Sequence, residues 1–124
     1  AIGSEDWKIV PQLTPAEGEP KVGKLYRNSF EATTLEEVLV ALGVGHVYVC
    51  GAQTNNCVRY TTHGALERGY DVTLLSDAHT TTDFDFGDKK ISAAVAVDEL
   101  NSSLYGEELP GRKGVAMKVE EAFA

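Results

Sequence analysis

Two cysteines are the residues best suited to covalent chemistry, and their settings differ. Cys50 closes the apolar run at 46–50 (HVYVC), whereas Cys57 follows the loop at 51–56 (GAQTNN) and opens a helical pattern. A thiol in the first turn of a helix faces backbone N–H groups that have no intrahelical partner. It also faces the positive end of the helix dipole, and both favour thiolate. The same N–H groups can hold the oxygen of a carbonyl under attack, so one turn could supply nucleophile and oxyanion hole. That arrangement suits attack on an amide-like carbon. On placement alone, a cysteine at the start of a helix is more often a small buried residue. A Cys50–Cys57 redox pair is disfavoured, because the spacing is not that of a redox motif.

A second group of reactive side chains, Asp77, His79, Asp83, Asp85 and Asp88, crowds one stretch. Asp83-x-Asp85 followed by Gly87 echoes a calcium loop, but the other ligand positions and the terminal glutamate are absent. The stretch therefore reads as a solvated acidic loop. His46 opens a strand and His63 lies mid-helix, neither with a partner at ligand spacing, so both read as structural.

The elements that must position Cys57 alternate along the chain. Residues 14–20 (TPAEGEP) form a loop, preceded by one irregular helical turn at most, and 21–24 (KVGK) is a candidate buried strand. Leu35, Val38, Leu39 and Leu42 share one helical stripe, with a capping box at Thr34-x-x-Glu37 and a stop at Gly43. A buried strand at 46–50 follows, then a helix over 55–68 ending at Gly69, a strand at 71–77, a helix over 89–105 and a strand at 115–119. Strands alternating with helices of about a dozen residues indicate an α/β fold. They imply three layers, a mostly parallel sheet with right-handed crossovers and helices on both faces. In such sheets the chemistry gathers at the carboxyl ends of the strands, here Cys50 and the loop after it.

Composition narrows the partners. The chain has 124 residues, 43% apolar, with 11 Lys+Arg against 19 Asp+Glu and a net charge of −8. It can bury one core without disulfide staples, so residues 1–124 read as a single domain. The acidic balance, with no basic cluster, argues against nucleic acid and anionic membranes. Apolar stretches are too short to cross a bilayer and no signal-peptide pattern opens the chain. Two cysteines are too few for a disulfide scaffold. A soluble, cytoplasmic protein is the expectation.

The run Gly51-Ala-Gln-Thr-Asn-Asn-Cys57-Val58, then Thr61, Ala65, Gly69-Tyr70 and Asp77-Ala78, resembles the core signature of the isochorismatase-like cysteine hydrolases. This superfamily includes nicotinamidases and N-carbamoylsarcosine amidohydrolases. Upstream, Lys24-Leu-Tyr-Arg-Asn-Ser-Phe30 with Thr33 and Leu35 resembles the family's lysine block. The two blocks together cover most of residues 18–105. The resemblance implies a Rossmann-like topology, and a chain that lacks the family's first strand and helix. It implies that Cys57 attacks a small carboxamide or ureido carbonyl to form a thioester or carbamoyl intermediate. Lys24 would stand beside the sulfur. A cis peptide between Ala52 and Gln53 would aim the Gln53 N–H, with that of Cys57, at the oxyanion. Phe30 and Tyr26 would wall the substrate pocket, ordinary core packing being the alternative for both. Isochorismate itself is a disfavoured substrate, because isochorismatases proper typically lack the cysteine.

The family's catalytic aspartate, carried on its first strand, has no match. Asp6 and Glu5 lie in a polar, turn-like stretch beside Trp7. A noncatalytic or regulatory relative, or a fragment that keeps the fold without turnover, is therefore the second reading. No cofactor or metal is expected within this segment; the resemblance allows zinc only through ligands upstream of Ala1. A homo-oligomer is implied by the resemblance alone.

Overall fold

The computed structural model describes all 124 residues, 1–124. Four strands form the main sheet in the order β1-β2-β6-β5, where β1 is His46–Ala52, β2 Asp71–Thr80, β5 Glu108–Leu109 and β6 Arg112–Met117. The pairs β1–β2 and β2–β6 run parallel, and β5 folds back antiparallel on β6. The expected mostly parallel α/β architecture is what forms. On β2 the consecutive residues Val72, Thr73, Leu74 and Leu75 are all buried, the mark of a strand covered on both faces.

Helices α1 (Leu35–Ala41), α2 (Arg59–Glu67) and α3 (Ala93–Ser103) bring apolar side chains to one core. Leu66 of α2 and Leu104, just past α3, flank Gly114 of β6; a Cβ there would lie 3.2 Å from each, so the two leucines would have to give by a few tenths of an ångström. An Arg59–Glu99 ion pair joins α2 to α3. On the opposite side of β1, the Tyr48 ring meets Phe123, which follows the short α4 (Val119–Ala122), at 4.9 Å between centroids.

Several expected elements differ. Residues 21–24 join no ladder and form no regular element, so the expected strand is absent. The segment before them contains two single 3₁₀ turns, Glu5–Trp7 and Pro11–Leu13, rather than one. β1 lies at the edge of the sheet rather than inside it, and only Val47 and Val49 are half-buried. The capping box at Thr34 does not form; instead the Leu35 N–H donates to Thr33 Oγ1 at 3.3 Å. Leu42 remains 63% exposed, because the helix ends one residue before it. The expected helix over 89–105 starts late. Residues 84–91 form a hairpin, β3 (Phe84–Phe86) and β4 (Lys89–Ile91), turning at Gly87 with φ +63°. Ser92 then caps α3, accepting from the Val95 N–H at 3.2 Å. Asp85 pairs across this hairpin with Lys90, a local contact that helical periodicity does not reveal.

Candidate active site

The chain leaves β1 at Ala52 through a cis Ala52–Gln53 peptide, the bond implied by the resemblance. Residues Thr54–Val58 then wind as a wide π-type turn that runs into α2. The Val58 N–H reaches back to the Gln53 carbonyl at 3.2 Å. Cys57 thus stands in a π turn two residues ahead of the α-helix rather than in its first α-turn. Asn56 closes the turn by donating from Nδ2 to Gln53 Oε1 at 3.1 Å. Cys57 is half-buried and Cys50 is exposed; both are free thiols.

Lys24 arrives from 33 positions upstream, and its Nζ lies 3.3 Å from Cys57 Sγ. The neighbouring segment explains this aim. The Ser29 N–H donates to Thr61 Oγ1 at 3.0 Å, which docks residues 28–30 on α2 one turn beyond Cys57. Asn28 lies directly over Gly64, where a Cβ would come within 2.7 Å of the Asn28 amide and force that side chain to move. Phe30 is buried, with its ring stacked on Tyr70 at 6.1 Å and the Arg68 guanidinium 4.5 Å from its centroid.

Cys57, Lys24, Ser29, Val49, Ala52 and Thr61 line a cavity of about 170 Å³. A larger apolar groove of about 310 Å³ continues from it, sharing Ser29, Val49, Cys50 and Thr61 and walled by Phe30 and Leu39. The first cavity is smaller than the usual site for a drug-sized ligand, so it fits a compact group. No carboxylate lines it. Of the residues expected there, the structure brings together Cys57 and Lys24, with Gln53 at the mouth of the turn. Phe30 sits in the core and reaches only the groove. Tyr26 is 56% exposed and lines neither space, because docking through Ser29 and Asn28 leaves its ring in solvent.

The acidic stretch disperses: Asp83 Oδ1 accepts from the Ala93 N–H at 2.7 Å, and Asp77 Oδ1 from the Val119 N–H at 2.9 Å. No three His, Cys, Asp or Glu side chains converge as metal ligands would. His79, read with that stretch from the sequence, instead points inward to Thr54. Its signal was its place two residues after Asp77 in a strand that runs on to Thr80, further than the apolar pattern shows.

A model of the isochorismatase domain matches residues 1–99. The chain belongs to the isochorismatase family. Among curated relatives, this isochorismatase-family chain is 33% identical over 98 residues to the secreted isochorismatase effector Isc1 of Verticillium dahliae, covering 79% of the chain and 52% of the relative. It is 34% identical over 89 residues to the ureidoacrylate amidohydrolase RutB of Caulobacter vibrioides, covering 72% and 40%. A crystal structure of a cysteine hydrolase from Pseudomonas syringae pv. phaseolicola 1448A superposes with a TM-score of 0.89 at 30% identity, over 98% of the chain and 55% of that protein. The chain thus spans about half the length of these relatives. The fold class and family expected from the two sequence blocks are those found.

Proposed function

We propose that this chain carries the nucleophile and lysine of a cysteine hydrolase that cleaves a small carboxamide or ureido C–N bond. The observation that carries the reading is the 3.3 Å approach of Lys24 Nζ to Cys57 Sγ in a small cavity at the carboxyl end of β1. The cysteine hydrolase from Pseudomonas syringae and the ureidoacrylate amidohydrolase among the relatives support the reaction class.

In this reading the Cys57 thiolate attacks the carbonyl carbon and the oxygen becomes an oxyanion facing the N–H groups of Gln53 and Cys57. The Gln53 N–H has no protein acceptor, which leaves it available for that oxygen. The C–N bond breaks as the Lys24 ammonium passes a proton to the departing nitrogen. Water then attacks the thioester or carbamoyl carbon, its proton returning to Lys24 as the sulfur leaves. The balance is amide plus water to acid plus amine. A reducing, cytoplasmic setting would keep Cys57 free for this step.

One observation favours the second reading, a noncatalytic or regulatory relative or a fragment without turnover: no carboxylate lines the cavity to share in the proton transfers. Iodoacetamide labelling tests the activated nucleophile without needing the substrate. Exposure alone predicts that Cys50 labels first. The catalytic reading predicts the reverse, Cys57 reacting at least about tenfold faster, read by peptide mass spectrometry over time. Equal or slower labelling of Cys57 would remove the basis for catalysis.

A further inference from the structure

Thr54, the first residue of the π turn, is wholly buried, and its Oγ1 lies 2.8 Å from Nδ1 of His79. His79 is 7% exposed, and its Nε2 lies 2.9 Å from Oδ1 of Asn101 on α3. Asn101 in turn donates from Nδ2 to the Ser76 carbonyl at 3.1 Å. For a neutral His79 ring, these partners give every bond a direction. Because the Asn101 amide nitrogen donates to Ser76, its oxygen accepts, so His79 carries its proton on Nε2. Nδ1 is then bare and accepts from the Thr54 hydroxyl.

The sheet is built to deliver this histidine. Val49 of β1 faces Leu74 of β2, but Gly51 faces His79, so β2 carries three extra residues between those two pairs. An irregularity of this kind re-aims a side chain next to it. In unbroken register Ser76 would stand opposite Gly51, and His79 would fall opposite position 54, past the end of β1. A parallel tie, Thr81 Oγ1 donating to Asn55 Oδ1 at 2.7 Å, fastens the next residue of the turn to the same strand end.

We propose that His79 is a positioning residue for the nucleophile: held by Asn101, it anchors Thr54 and so fixes the turn that presents Cys57 three residues later. The proposal rests on the reading of Cys57 as a nucleophile given above. It assigns His79 no contact with substrate.

The experiment measures iodoacetamide labelling of Cys57 in the intact chain, with Cys50 as the internal standard and circular dichroism to verify folding. Thr54→Val keeps shape and burial but removes the hydroxyl, and it should slow Cys57 labelling about tenfold with Cys50 unchanged, since small misplacements of a reacting atom have effects of that order. Thr54→Ser restores the hydroxyl and should return the rate to within about twofold, a rescue that lost packing alone would not produce. Asn101→Leu, at the half-buried far end of the chain of bonds, should slow labelling about threefold and serves where Thr54→Val does not fold. A folded Thr54→Val or Asn101→Leu protein labelled at the wild-type rate, or a Thr54→Ser protein as slow as Thr54→Val, would overturn the proposal. The two readings fail separately. Fast labelling of wild-type Cys57 that responds to these variants, without amide turnover, removes catalysis and leaves the positioning role. Turnover that requires Cys57 but is indifferent to them does the opposite.

Discussion

Cys57→Ala is expected to abolish amide hydrolysis, lowering kcat/KM by at least about 10³-fold, or roughly 4 kcal/mol of transition-state stabilisation. The size follows from the role assigned. A covalent nucleophile divides one difficult displacement into two easier ones, and alanine removes that route altogether. Lys24 and the backbone N–H groups of the turn remain, but without a sulfur they have no adduct to stabilise. The variant should fold and melt like wild type, because Cys57 is only half-buried and lies outside the apolar core. Initial rates on a panel of small carboxamides and N-carbamoyl compounds provide the check. Wild-type turnover by the folded variant would place any activity elsewhere in the molecule.

Leu74→Ala is expected to lower stability by about 3 kcal/mol, within the 2–5 kcal/mol range of such truncations. Leu74 has no exposed surface and lies on β2, the strand paired on both sides, within the cluster that also contains Val58, Leu66 and Leu100. Removing its isobutyl group loses burial energy and leaves a cavity that the parallel ladders on either side prevent from closing. For a domain of this size the loss corresponds to a fall in Tm of roughly 15 °C. Leu25→Ala offers the contrast: that side chain is 84% exposed and its removal should change stability by no more than about 0.5 kcal/mol. Thermal melts of both variants test the assignment of the core, and similar shifts in the two would contradict it.

The legible parts of this chain are those where local pattern and tertiary role agree. The apolar run at 71–77, the strand at 46–50 and the helical spacing through Val58, Thr62 and Ala65 each carry their period in the sequence and hold it in the fold. The spacing around Cys57 and Lys24, read together, also located two side chains that meet across a separation of 33 positions. What stayed hidden depends on partners distant in sequence. The segment at 21–24 is a strand candidate by its sequence, yet a strand needs a neighbour, and no ladder forms beside it. The hairpin at 84–91 turns at Gly87 and pairs Phe84–Phe86 with Lys89–Ile91, a cross-strand match that the helix expected over 89–105 does not reveal. Tyr26 follows from how Asn28 and Ser29 dock on α2, a contact that the residue types alone do not specify. His79 is legible as reactive but not as buried, because the break in register that sets it opposite Gly51 leaves no mark in the apolar pattern.

The central claim, that Cys57 forms a covalent acyl or carbamoyl intermediate, is tested most directly by acid-quenching the chain during incubation with the amide panel and mapping the modified peptide by mass spectrometry. The account predicts an acyl or carbamoyl group on Cys57 that appears in wild type, vanishes in Cys57→Ala and is chased away by water as substrate is exhausted. An unmodified Cys57 peptide in every quenched sample, or a modification confined to Cys50, would contradict it.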